Sequence, residues 1–167
     1  MAETNGPKPA DGMAAGATPA IFRVLAQYVK DMSFESPNAP ETLKHLTERP
    51  KLNIEVNVSA AGMEPNTHEV TIHLEATAAR ANGGQTLYNV EIDYAGLFHI
   101  EHVPDDRLPP LLMINCPALI YPFLRRLVCD LTREGGFPPL LLDPIDFAGL
   151  YLKNLADREK AGQKTMA

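Results

Sequence analysis

Four stretches of this chain suit β-strands, and all of them precede the first stretch with a helical period. Residues 51–59 set Leu52, Ile54, Val56 and Val58 against Lys51, Asn53, Glu55 and Asn57. Residues 68–78 set Val70, Ile72, Leu74 and Ala76 against Glu69, Thr71, His73, Glu75 and Thr77. Residues 86–94 set Tyr88, Val90, Ile92 and Tyr94 against Leu87, Asn89, Glu91 and Asp93. Successive side chains of a strand point to opposite faces, so each set predicts one apolar and one polar face. Residues 22–34, rich in Val, Phe and Tyr and followed by Pro37, read as a strand at the head of the series. Short links at 60–67 and 79–85, the second turning at Asn82-Gly83-Gly84, suit hairpins and predict an antiparallel meander.

A sheet with one apolar face must cover it. The cover is expected from the C-terminal part, where Leu119, Phe123, Leu127 and Leu131 recur every four residues within a helix over about 111–134. Pro117 and Pro122 each remove a backbone donor, so this helix is kinked or its regular part starts near Pro117. Gly135-Gly136 is a stop signal. Residues 137–145 form a Pro-punctuated crossover, and Asp146 is placed to cap a last helix with Phe147, Leu150, Tyr151, Asn154 and Leu155 along one stripe. Strands followed by helices predict an α+β fold: a four-stranded antiparallel sheet with two C-terminal helices packed on one face.

The 167 residues suit one domain, expected over 21–156. Residues 1–20 are expected to be a disordered extension and 157–167 a flexible tail. The first twenty residues lack the basic start and apolar core of a secretory signal, and no stretch reads as a spanning helix. Cys116 and Cys129 fall in one helical segment about 20 Å apart, beyond disulfide reach. Reduced thiols suit the cytoplasm.

No Gly-rich phosphate loop or nucleophile elbow occurs, and Gly83-Gly84 and Gly135-Gly136 read as turn and cap. His99-Ile100-Glu101-His102 is the nearest approach to a ligand cluster, but its spacing matches no zinc pattern, and a polar loop after the fourth strand is expected there. No metal or other cofactor is expected. Leu140-Leu141-Leu142 has two readings: packing under the sheet's edge, or lining an exposed apolar groove for a peptide or a second subunit.

The net charge of −6 argues against nucleic acid and anionic membrane as partners. It is also uneven: residues 31–106 hold thirteen acids and four bases. Period two puts Glu55, Glu69, Glu75, Glu91 and Asp93 on the polar side of the sheet, and Asp31, Ser33 and Glu35 share one parity of the first strand. Such a face is either simply solvated or a surface whose self-repulsion a basic partner relieves.

Four motifs in order carry a family resemblance. They are the run from Lys30 through Asp31-Met32-Ser33-Phe34-Glu35 to Pro40, the run from Tyr94 to Ile100, the run from Cys116 through Pro117 and Pro122 to Arg125, and the run from Gly135 through Pro138-Pro139 to Phe147. Together they resemble the SecB export chaperones of bacteria over residues 22 to about 155. The resemblance implies a cytoplasmic homotetramer, a dimer of dimers, that has no enzymatic activity. It implies a chaperone that holds unfolded secretory precursors without ATP and delivers them to the SecA translocation ATPase. It places the SecA contact on Asp31, Glu35, Asn89 and Glu91, and tetramer assembly on Val90, Ile92 and Tyr94. It places an apolar client groove beside the second strand, crossover and last helix, with Phe137, Leu140, Leu142 and Phe147 as candidates. Two other classes stand beside it: a structural assembly module, and a metal-dependent enzyme using His99 or His102 beside Glu101.

Overall fold

The computed structural model describes residues 18–46, 49–82 and 84–164. Its strands are β1 (Ile21–Glu35), β2 (Lys51–Glu64), β3 (Thr67–Ala79) and β4 (Thr86–Glu101). All neighbours are antiparallel, in the order β1-β4-β3-β2. The meander β2-β3-β4 is present, and β1 returns to pair with β4, so β1 and β2 form the two open edges in a Greek-key order. The β2–β3 hairpin is tighter than the sequence suggests. Glu64 pairs with Thr67, and Asn66 takes the left-handed conformation (φ 62°) that asparagine tolerates. Strand β4 continues through Glu101, so His99, Ile100 and Glu101 are strand residues; the expected polar loop begins only at His102.

The register confirms the predicted faces. Leu52, Ile54, Val56 and Val58 stand opposite Ala78, Ala76, Leu74 and Ile72, which in turn face Tyr88, Val90, Ile92 and Tyr94. This inner face is the core, with Ile72, Leu74, Ile92 and Phe98 fully buried. Irregularities at Leu25 and Lys30 interrupt β1, so its alternation is out of phase with that of β4 over part of its length.

A helical turn, α1 (Leu108–Pro110), runs through a π-helical turn at Leu111–Asn115 into α2 (Cys116–Glu134). Pro117 lies in its first turn and Pro122 inside it. The stripe expected in the core, Leu119, Phe123, Leu127 and Leu131, is not the buried one: Leu119 and Phe123 are 47% and 44% exposed. Cys116, Ile120, Leu124 and Val128 are buried instead. The two stripes have the same spacing and lie side by side on the helix. By length and hydropathy Leu108–Glu134 meets the measure of a spanning helix, where the sequence reading found none. Its apolar surplus comes from carrying both stripes, one of them packed in the sheet's core. The helix ends as predicted, with Gly136 at φ 83° and the Phe137 amide donating to Thr132 O.

The last helix, α3 (Phe147–Lys164), is capped by Asp146, whose Oδ1 accepts the Gly149 amide at 3.0 Å. The helix continues past residue 156, where the domain was expected to end, so 157–164 extend it. Residues 1–17 of the expected extension, and 165–167 of the expected tail, lie outside the described residues.

Candidate functional surfaces

The outer face of the sheet collects the acids. One row across it reads Glu55, Glu75, Glu91, Ser33, and the next reads Asn57, His73, Asp93, Asp31. Some carboxylates of this face are paired and others are not. Glu69 accepts from Lys30 Nζ at 2.7 Å and from the Tyr28 hydroxyl, and these bonds lower its pKa. The same contact pushes the Tyr28 hydroxyl up to about 12. His73 lies between two acids, with Nδ1 2.5 Å from Asp93 Oδ1 and Nε2 3.0 Å from Glu75 Oε1. The Asp93 bond and then the Glu75 bond raise its pKa against the opposing effect of burial. The carboxylates of Asp31, Glu35 and Glu91 make no hydrogen bond or ion pair with a described side chain, and all three residues are exposed.

Of the residues expected at a partner contact, Glu35, Asn89 and Glu91 line one shallow depression, with Ser33, Glu75 and Thr77. Asp31 stands one row away, opposite Asp93. His73 Nε2, Glu75 and Glu91 also bring possible ligand atoms within 4.8 Å of one another. Both imidazole nitrogens, however, face carboxylate oxygens. That geometry suits an imidazolium donating twice, which keeps no lone pair for a cation. From the sequence these acids make a poor metal site because they are spread over separate strands; the register brings Glu75 and Glu91 together and adds His73.

The second surface is apolar. On the helix side of β2, one groove is lined by Ile54, Val56, Tyr121, Leu142 and Pro144, and another by Ala60, Leu112, Met113, Tyr151 and Leu155. From Ile54 to Ala60 they follow about 20 Å of β2, whose far side is an open sheet edge. The crossover forming one wall is tied down by α2. Tyr121 donates its hydroxyl to Asp143 O at 2.5 Å, and Thr132 Oγ1 accepts the Leu140 amide at 2.9 Å. Tyr121 also meets Phe147 edge-on, at 5.7 Å between ring centroids.

The four residues named for this groove are placed differently from one another's expected role. Phe137, Leu140, Leu142 and Phe147 are all buried core side chains, and of these only Leu142 lines the groove. The leucine presented to solvent is Leu141, 67% exposed. Leu140 and Leu142 thus pack into the core, and Leu141 alone of the triplet faces solvent. Val90, Ile92 and Tyr94 are likewise buried within the protomer, on the inner face. Apolar residues that do reach the surface include Val24, Leu25, Val29 and Met32 on β1 and Leu119 and Phe123 on α2.

The remaining candidates are inert or separate. Burial pushes the Cys116 thiol up to about 12, as suits a packing residue. His99 Nε2 meets Glu101 at 2.9 Å, whereas His102 Nδ1 meets Pro19 O, so the two imidazoles have different partners.

The family model described as preprotein translocase subunit SecB matches residues 15–158. A protein-export protein SecB of Rhodopseudomonas palustris (strain HaA2) is 47% identical over 147 residues, covering 88% of this chain and 92% of the relative. That of Bradyrhizobium diazoefficiens is 45% identical over 160 residues, covering 95% and 96%. Among solved structures, a SecB-like chaperone of Mycobacterium tuberculosis in complex with an antitoxin peptide aligns with a TM-score of 0.61 at 16% identity. That alignment covers 74% of this chain and 90% of the other, and it shows the shared α+β fold.

Proposed function

This chain belongs to the SecB family of protein-export chaperones, and from that premise we propose an ATP-independent holdase for unfolded secretory precursors. The observation that carries the reading is the apolar groove beside an open strand edge. An unfolded segment offers apolar side chains and unpaired backbone groups. The groove takes the first and the β2 edge can take the second, with little demand on sequence. Holding of this kind needs no nucleotide and no catalytic step.

The outer face is the proposed delivery surface, where SecA meets Asp31, Glu35, Asn89 and Glu91. That Asp31, Glu35 and Glu91 have no partner among the described residues supports this choice, because an internal partner would compete with an incoming cation. A homotetramer formed as a dimer of dimers is the proposed assembly, in the bacterial cytoplasm. Two unpartnered apolar surfaces support it. One is the β1 edge, which invites pairing with a second copy. The other is the Leu119 and Phe123 side of α2. Val90, Ile92 and Tyr94 would then act on assembly from beneath, through the packing of α2. The proposed working unit is residues 21–156, with 1–20 and 157–167 as appendages, the second of them helical to residue 164.

A native mass measurement with and without a reduced, unfolded secretory precursor tests this reading. The chain alone should give the mass of a tetramer, and added precursor should give a nucleotide-independent complex. A tetramer that leaves the precursor free would favour the assembly-module reading instead.

A further inference from the structure

His73 is the one imidazole bonded to two carboxylates among the described residues. Its neighbours on the outer face can be read from the register. Glu75 and Thr71 flank it on β3, and Asp93 lies opposite on β4 with Glu91 and Ala95 on either side. On β2, Asn57 lies opposite with Glu55 and Ser59 on either side, and Asp31 stands beyond Asp93 on β1. No cationic side chain is among these groups. The nearby Lys30 is engaged by Glu69. The proton on His73 is therefore the charge that offsets Asp93 and Glu75 in the middle of an acidic face.

We infer that His73 sets the strength of this face toward cationic partners, pairing Asp93 and Glu75 while leaving Asp31, Glu35 and Glu91 to be met, and releasing that pairing as it loses its proton. The inference rests on the outer face being the delivery surface. A protonated imidazole cancels one negative charge at the centre of the face. Deprotonation returns it, so capture of a basic segment tightens as pH rises. The imidazole itself touches no partner in this scheme; it is a positioning and charge-setting residue. The Asp93 bond and then the Glu75 bond hold the proton on His73 to higher pH than on a free imidazole. His99 shares the face but sits about 20 Å along β4, bonded to Glu101.

The test uses the full chain and an N-acetylated oligolysine peptide, which has no group titrating near neutrality. Binding is followed by fluorescence anisotropy at low salt, with chelator present, from about pH 5.5 to about pH 8.5. Affinity should rise about threefold across the range. His73→Gln should bind tightly and without pH dependence, and His73→Arg weakly and without pH dependence. A second readout needs no variant. By linkage, saturating oligolysine must lower the His73 pKa followed by NMR. A His73→Gln protein that keeps the native pH profile, or a His73 pKa indifferent to the peptide, overturns the inference while the delivery surface stands. Unchanged oligolysine binding in the combined variant Asp31→Asn, Glu35→Gln, Glu91→Gln overturns the delivery surface and the inference with it.

Discussion

The ring of Phe34 occupies the space where a side chain on Gly135 would begin: a β-carbon built on that glycine would stand 2.2 Å from Phe34 Cζ. The end of β1 and the end of α2 thus touch at a position with no room for a methyl group. Phe34 also stacks on Tyr88 and meets Phe137, so the ring cannot move without disturbing the cluster. Gly135→Ala should cost about 1–3 kcal/mol by overpacking, read as a lower denaturation midpoint with an unchanged slope. A midpoint equal to that of the parent would show that the contact yields freely.

Thr132 holds the crossover to α2. Its buried hydroxyl accepts the Leu140 amide and donates to Val128 O, both at 2.9 Å. Thr132→Val keeps the shape and leaves the Leu140 amide without a partner, at a cost of about 1–3 kcal/mol. Hydrogen exchange at Leu140 should accelerate by more than it does in β3, since the loss is local to the groove wall.

Strand and helix order were legible in the sequence because each period is a property of consecutive residues. The faces of β2, β3 and β4 followed from alternation alone. The face of α2 did not, since Leu119-Phe123-Leu127-Leu131 and Cys116-Ile120-Leu124-Val128 share a spacing of four. Only contact with the sheet decides between them. The irregularities at Leu25 and Lys30 were invisible for a related reason: an extra residue in a strand leaves no mark except against its partner's register. The crossover has no period, so nothing local separated exposed Leu141 from buried Leu140 and Leu142. Acidic residues could be assigned to the outer face, but their pairing with Lys30 and His73 needed side-chain geometry.

Assembly separates buried from exposed apolar residues. Leu119→Asp with Phe123→Asp should leave the protomer folded and shift a tetramer toward dimers, read by light scattering. Ile92→Asp instead places a carboxylate in the core at a fully buried position. It should cost about 3 kcal/mol or more, lowering the melting temperature before any change in mass appears. A tetramer unaffected by the helix pair would remove α2 from the interface.

The leucine triplet offers a matching contrast for client holding. Leu141→Ser should weaken suppression of aggregation of an unfolded precursor severalfold, with stability changed by about 0.5 kcal/mol or less. Leu142→Ala opens a core cavity and should cost about 2–5 kcal/mol. Equal holding by Leu141→Ser and the parent would confine the client path to the groove floor.

Delivery depends on charges that are free to be met. Asp31→Asn, Glu35→Gln and Glu91→Gln remove three carboxylates with no partner among the described residues, so the described fold loses no ion pair and its stability should stay within about 0.5 kcal/mol. Tetramer mass and precursor holding should likewise be unchanged. SecA binding, measured by calorimetry at low salt, should fall by roughly tenfold or more, because the attraction of a cationic segment to this face is carried by these groups. Asp93→Asn supplies the control: its carboxylate is already engaged by His73 at 2.5 Å, so its loss should weaken SecA less than the loss of Glu91. Equal effects of Asp93→Asn and Glu91→Gln would mean that binding reads the summed charge of the face and not its unpaired members.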